Sequence, residues 1–136
     1  MIPTKACPVL IRKISKTEIL VFQHPLAGVQ LVKGTIEPHE NASAAAVREL
    51  EEESGIRHAE VIADLGCWDS QHQGAVWSFH LCAVRHDLPD EWVHDAADDG
   101  GHAFSFFWHP LDSDLGDLSH EVFHRALEFI RRRIRD

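Results

Sequence analysis

The spacing of apolar and polar residues changes period several times along the chain, and each change marks an element. Residues 6–14 (ACPVLIRKI) and 18–23 (EILVFQ) are rich in aliphatic and β-branched side chains and read as two strands joined by a hairpin at Ser15-Lys16-Thr17. His24 to Gly28 is a turn, punctuated by Pro25 and Gly28. Val29 to Lys33 reads as a short strand that brings the chain to Gly34. From Asn41 the period becomes helical. Asn41 is placed to cap the helix, an Ala-rich run follows with high helix propensity, and Gly55 suits the left-handed residue that closes many helices. At about 100° per residue, Val47, Leu50 and Ser54 fall on one side and are expected to face a core.

After Gly55, residues 59–67 (AEVIADLGC) and 75–85 (AVWSFHLCAVR) read as long strands connected through DSQHQG. Residues 87–102 (DLPDEWVHDAADDGGH) are polar, acidic and glycine-containing, and are predicted to be a long loop, a kind of segment that is often functional. Residues 103–108 (AFSFFW) form a further strand, ended by His109-Pro110. Ser119 is predicted to cap a last helix in which Val122, Phe123, Ala126, Leu127, Ile130 and Ile134 recur at helical spacing. Glu121/Arg125 and Glu128/Arg132 are its expected i,i+4 pairs. Strands on both sides of a central helix, with a second helix last, imply an α/β fold with a mixed sheet packed between helices.

Composition fits this picture. The chain has 136 residues, 44% hydrophobic and 26% charged, as expected of one ordinary globular domain spanning residues 1–136. No apolar run approaches the ~20 residues of a membrane span, and the N-terminus lacks the pattern of a signal peptide. Cys7, Cys67 and Cys82 are odd in number and widely spaced, and read as reduced thiols in a cytoplasmic protein. Net charge is −9, which argues against membrane surfaces and nucleic acid as partners. Residues 1–33 nonetheless carry Lys5, Arg12, Lys13, Lys16 and Lys33 against Glu18 alone, a flank able to help hold an anion; solvated strand faces are the plainer account. Composition leaves a homodimer open.

The charge pattern on the central helix is the anomaly. Glu49, Glu52 and Glu53 fall within an arc of about 100°, whereas Glu51 points about 160° away from Glu49, toward solvent. Like charges three and four apart repel by about 0.2–0.5 kcal/mol per pair, and carboxylates near a helix C-terminus oppose its dipole. Arg48 offsets part of this. Local rules broken without a packing gain often mark a functional site. A bound cation is the simplest compensation, and an oxygen-only ligand set favours Mg²⁺, with Mn²⁺ as substitute, over Zn²⁺.

The wider spacing turns the anomaly into a motif. Gly34, five residues, Glu40, seven residues, and then Arg48-Glu49-Leu50-Glu51-Glu52-Glu53-Ser54-Gly55-Ile56 match the Nudix box at every defining position. The chain therefore resembles the Nudix hydrolases. That resemblance implies an α/β/α sandwich and a metal-dependent pyrophosphohydrolase acting on a small-molecule nucleotide, either a nucleoside diphosphate linked to a further group or a nucleoside triphosphate. It implies Mg²⁺ on Glu49, Glu52 and Glu53 with the Gly34 carbonyl, and a catalytic set of Glu53, Glu52 and Arg48. Glu53 is a metal ligand and candidate general base, and Arg48 with Glu40 braces the loop and helix. Some family members take the base from a later loop, where Glu91, Asp95, Asp98 and Asp99 are the alternatives. Two departures stand out: Lys33-Gly34 replaces the common Gly-Gly, and His39 replaces a Gly, so a loop needing φ > 0 there carries strain. Lys33 and His39 are candidate phosphate contacts.

Other constellations are weaker. His120 and His124 have the spacing of a helical zinc pair, but no third ligand accompanies them. Trp68, Trp92, Phe106, Phe107 and Trp108 could offer a stacking face to a nucleobase, although aromatics in strands are mostly core. No subfamily signature is present: the chain has no Tyr, and the first Pro after the box is Pro89. Two rival readings are an idle Nudix domain that senses a nucleotide, which would not require all three glutamates, and removal of pyrophosphate from RNA 5′ ends, which the charge disfavours.

Overall fold

The computed structural model describes residues 1–97 and 101–135. Strands β1 (Lys5–Lys13) and β2 (Thr17–His24) form the expected hairpin, followed by β3 (Gly28–Gln30), β4 (Gly34–Thr35) and helix α1 (Ala42–Ser54). Then come β5 (Glu60–Asp69), β6 (Val76–Ala83), β7 (Glu91–Ala96), β8 (His102–Pro110) and helix α2 (Glu121–Arg135). The sheet runs β5-β6-β1-β2-β8-β7, with β3 on β2 and β4 on β1. β1 and β6 pair in parallel, while the other neighbours are antiparallel, so the sheet is mixed as anticipated.

Alternation along β1 and β2 sorts the core into two layers. Cys7, Val9, Ile19 and Val21 pack with Trp77, Phe79 and the α2 residues Val122, Phe123, Ala126, Leu127 and Ile130. Leu10, Leu20 and Phe22 pack with Phe104, Phe106 and Leu50 of α1. The helices therefore cover opposite faces, and α2 buries the stripe that its spacing forecast.

Four local expectations need correction. First, Val29–Lys33 is not one strand: β3 stops at Gln30, because the chain leaves its pairing with β2 and re-pairs at Gly34–Thr35 with β1. Leu31 and Val32 are buried during that crossing. Second, the stretch predicted as a long loop contains β7, paired along its length with β8. Its acidic residues hide a period-2 pattern in which Trp92, His94 and Ala96 turn inward while Glu91, Val93 and Asp95 are exposed. β8 likewise continues past Trp108 through Pro110, opposite Glu18 of β2. Third, His120 and not Ser119 caps α2: the Val122 N–H donates to His120 Nδ1 at 2.9 Å, while the Ser119 hydroxyl donates to the Val29 carbonyl. Fourth, Arg125 donates to the Ser70 carbonyl and lies over the Trp68 ring, and among the described residues it makes no ion pair with Glu121. Glu128 pairs with both Arg131 and Arg132.

Cys7 and Cys82 are buried and Cys67 is partly so; all three are free. Burial pushes the Cys7 thiol well up and that of Cys82 to about 11, so both stay protonated and inert near neutrality.

His80 carries a pH-dependent part of the stability. It is 5% exposed on β6, with Nε2 2.9 Å from Ser78 Oγ and Nδ1 buried without a hydrogen-bond partner among the described residues. Burial lowers its pKa, partly opposed by Asp64 across the strand pair. The unfolded chain therefore takes up this proton at higher pH than the folded one. The contribution is complete above the unfolded value of about 6.5 and is lost as pH falls below it. Denaturant midpoints measured at about pH 7 and about pH 5 should differ more for the parent protein than for His80→Phe. Equal differences would sink the assignment.

Candidate active site

The box folds as its residues dictate. Asn41 accepts a bond from the Ala44 N–H at 2.7 Å and so starts α1. Gly55 ends it in the left-handed region at φ 80°. His94 of β7 lies where a Gly55 side chain would be, since a Cβ there would sit 2.8 Å from its Nδ1. The Trp92 indole donates to the Ser54 carbonyl at 2.9 Å, fastening the helix end to β7.

The inward face of α1 is not the apolar one expected. Ala45, Ala46, Leu50 and Ser54 are buried and Val47 only half so; Glu49 and Glu53 share the interior at 7% and 8% exposure. Glu52 and Glu51 are exposed. Two buried carboxylates one turn apart are costly unless compensated. Part of the compensation is Arg48, whose Nη1 donates to Glu49 Oε1 at 2.9 Å and to Glu52 Oε2 at 3.2 Å. Glu53 is hydrogen-bonded to Glu49. Burial raises the pKa of Glu49, opposed in part by Arg48 alongside.

Arg48 is also the hub of the loop. Its Nε and Nη2 grip Glu40 at 2.7 and 2.9 Å, and Nη2 reaches the Thr35 carbonyl at 2.9 Å. Glu40 accepts the Glu37 N–H as well, and these donors hold its carboxyl down at about 2. Arg48 is itself raised by the carboxylates around it. His39 sits at φ 67°, the strained backbone its replacement of Gly implied. Its side chain is exposed and outside the cleft lining.

A cleft of about 430 Å³ opens beside these groups, lined by Lys5, Lys33, Gly34, Thr35, Glu37, Arg48, Glu49, Glu52, Glu53 and Phe104. Sequence spacing therefore located Lys33, Gly34, Arg48 and the three glutamates of one cavity. It missed Phe104 and named Lys5 only within a basic flank; strand pairing brings both in from far along the chain. Lys5 Nζ donates to Thr35 Oγ1 at 2.7 Å, and Lys33 Nζ lies 5.7 Å from the centre of the Trp77 ring. Of the later acids, Asp95 borders a second depression with Glu51, Glu52 and His94. Glu91 is exposed at the far end of β7, and Asp98 and Asp99 lie outside the described residues. Phe106 and Trp108 are core, and Trp68, Trp92 and Phe107 pack against it.

Gly34 tests whether an ion fits. A Cβ on Gly34 would fall 1.9 Å from Glu49 Cδ, so the backbone and carboxyl meet in a space that only glycine leaves open. Hard oxygen donors on one wall suit Mg²⁺ or Mn²⁺ chemically. As the side chains stand, Arg48 ties Glu49 to Glu52, and no three acidic, His or Cys side chains among the described residues converge as a ready ligand set.

The fold and cleft define a class of protein that the comparisons identify. The NUDIX domain family matches residues 4–131, nearly the whole chain, and the chain belongs to that family, the Nudix hydrolases, which cleave pyrophosphate bonds. No curated protein matches it in sequence at a significant level. Among solved structures it is similar to an ADP-ribose pyrophosphatase from Streptococcus suis, with TM-score 0.71 and 14% identity over 98% of this chain and 91% of that one. A UDP-X diphosphatase also gives TM-score 0.71 at 14% identity, over 99% of this chain and 64% of its own. An Ap4A hydrolase from C. elegans gives 0.64 at 18%, over 96% and 98%. Likeness at such low identity speaks to the fold.

Proposed function

We propose that this chain is a Mg²⁺-dependent pyrophosphohydrolase of a nucleoside diphosphate derivative or nucleoside triphosphate. The observation that carries the reading is the meeting, in one cleft, of Glu49, Glu52, Glu53 and the side-chain-free Gly34 with Lys5 and Lys33. Glu49, Glu52 and Glu53, with the Gly34 carbonyl, would hold the cation, for which Mn²⁺ can substitute. When bound, it supplies charge neutralisation for the diphosphate and lowers the pKa of a coordinated water.

The protein's own residues do the rest. Glu53, buried against Glu49, is positioned to accept the proton of the attacking water; Asp95 at the neighbouring depression is the alternative acceptor. Arg48 keeps Glu49 and Glu52 oriented and fixes the loop through Glu40, and Lys5 and Lys33 face the substrate phosphates. His39 serves through its left-handed backbone. Three free cysteines support a reducing, cytoplasmic setting. Among the described residues no helix is long and apolar enough to cross a membrane.

The test is a phosphate-release screen over nucleoside triphosphates and nucleoside diphosphates linked to sugars, nucleosides or other groups, with and without Mg²⁺. Turnover of at least one compound that stops on chelation is expected. Metal-independent turnover, or none across the panel, would overturn the proposal.

A further inference from the structure

We infer that Phe104, His102 and His24 form a seat for a flat aromatic ring, the nucleobase of the substrate, beside the wall of the cleft that Phe104 lines. This rests on reading the cleft as the pyrophosphate site. Phe104 lines that cleft together with Glu52, Glu53 and Lys33, so whatever lies across the carboxylates also borders this ring. The antiparallel register of β2 and β8 pairs Gln23 with Ser105, and one step further it places His24 beside Phe104. Their ring centroids are 5.4 Å apart. His102 lies 4.9 Å from His24, and its ring is within 19° of parallel to that of Phe104 at 6.4 Å. Behind them Phe104 stacks on Phe22 at 4.5 Å, which backs the group with rigid core.

The chemistry of the end positions separates a ligand seat from a plain core cap. Phe22, Phe104 and Phe106 belong to the core layer beneath. His24 and His102 are half-buried. The His24 Nδ1 accepts the Leu26 N–H at 3.0 Å, which orients that ring and leaves its proton on Nε2. Aromatic faces bind bases by stacking with little dependence on which base is present, and an imidazole adds an edge hydrogen bond. A diphosphate held between the lysines and the carboxylates would place a base-bearing end over these rings.

Two measurements test this together. In spectra of the histidine ring C–H groups, assigned with His24→Gln and His102→Gln, adenosine 5′-monophosphate should shift both histidines and ribose 5-phosphate should not. In kinetics, the kcat/KM ratio between the best base-bearing substrate and phosphoribosyl pyrophosphate should fall about tenfold in His102→Ala and recover in His102→Phe, as expected for a lost and restored stack. Equal shifts with both monophosphates, or an unchanged ratio in both His24→Ala and His102→Ala, overturn the seat. If no diphosphate is hydrolysed, the hydrolytic reading fails while the spectra still judge the seat. If hydrolysis is metal-dependent but indifferent to the base, the seat fails alone.

Discussion

Glu53→Gln should lower metal-dependent turnover by about 10²–10⁴-fold, the range for losing a positioned general base, while the protein stays as stable as the parent or becomes slightly more so. Glutamine keeps the shape of a side chain that is 8% exposed and removes its charge. Glu53 is buried beside Glu49, so removing its charge relieves the desolvation cost of a carboxylate held away from water. Activity lost while stability is kept is the signature of a functional group. Glu51→Gln is the control: the residue is exposed, on the side of α1 turned away from Glu49, and its replacement should leave turnover unchanged. If Glu53→Gln retained parental kcat, Glu53 would be neither base nor essential ligand.

The second large effect concerns a methyl group. In Gly34→Ala the new carbon would meet Glu49 Cδ at 1.9 Å and both of its oxygens at 2.2 Å, closer than atoms can pack. Either Glu49 gives up its bond to Arg48, or the Gly34–Thr35 strand gives up its pairing with Lys5 and Ala6. Both routes move the cleft. Overpacking of this kind costs about 1–3 kcal/mol of stability, and misplacing catalytic groups by about 1 Å costs on the order of 10² in rate. Urea unfolding together with kcat measured on the same preparation will show whether both changes occur. A Gly34→Ala variant with parental kcat would mean that the meeting of Gly34 and Glu49 is not part of the working site.

How much of this could be read from residue order follows the range of each interaction. Asn41, Gly55 and the arc of Glu49, Glu52 and Glu53 act within a few turns of one helix, and helical periodicity suffices to place them. The Arg48–Glu40 grip also spans only eight residues. Spacing failed where a different pairing partner decides conformation. β7 was hidden because its outward positions are Glu91, Val93 and Asp95 and its inward ones are Trp, His and Ala, a mixture without a strong apolar alternation. Lys5 and Phe104 reach the cleft, and His24 and His102 reach Phe104, through strand register, which no local pattern encodes. Burial of Glu49 and Glu53 was missed for a related reason: periodicity showed that they share a side of α1, but only the strands and β4 opposite show that the side is enclosed.

Direct titration of the protein with Mn²⁺, following the free-ion signal by electron paramagnetic resonance, tests the central claim that these carboxylates hold a divalent cation. The parent protein should bind Mn²⁺ in competition with Mg²⁺, and the affinity should fall at least tenfold in Glu49→Gln and in Glu53→Gln but not in Glu51→Gln, since losing even a group that supports a metal ligand costs about 10–100-fold in affinity. Equal affinity in all four proteins would contradict the account.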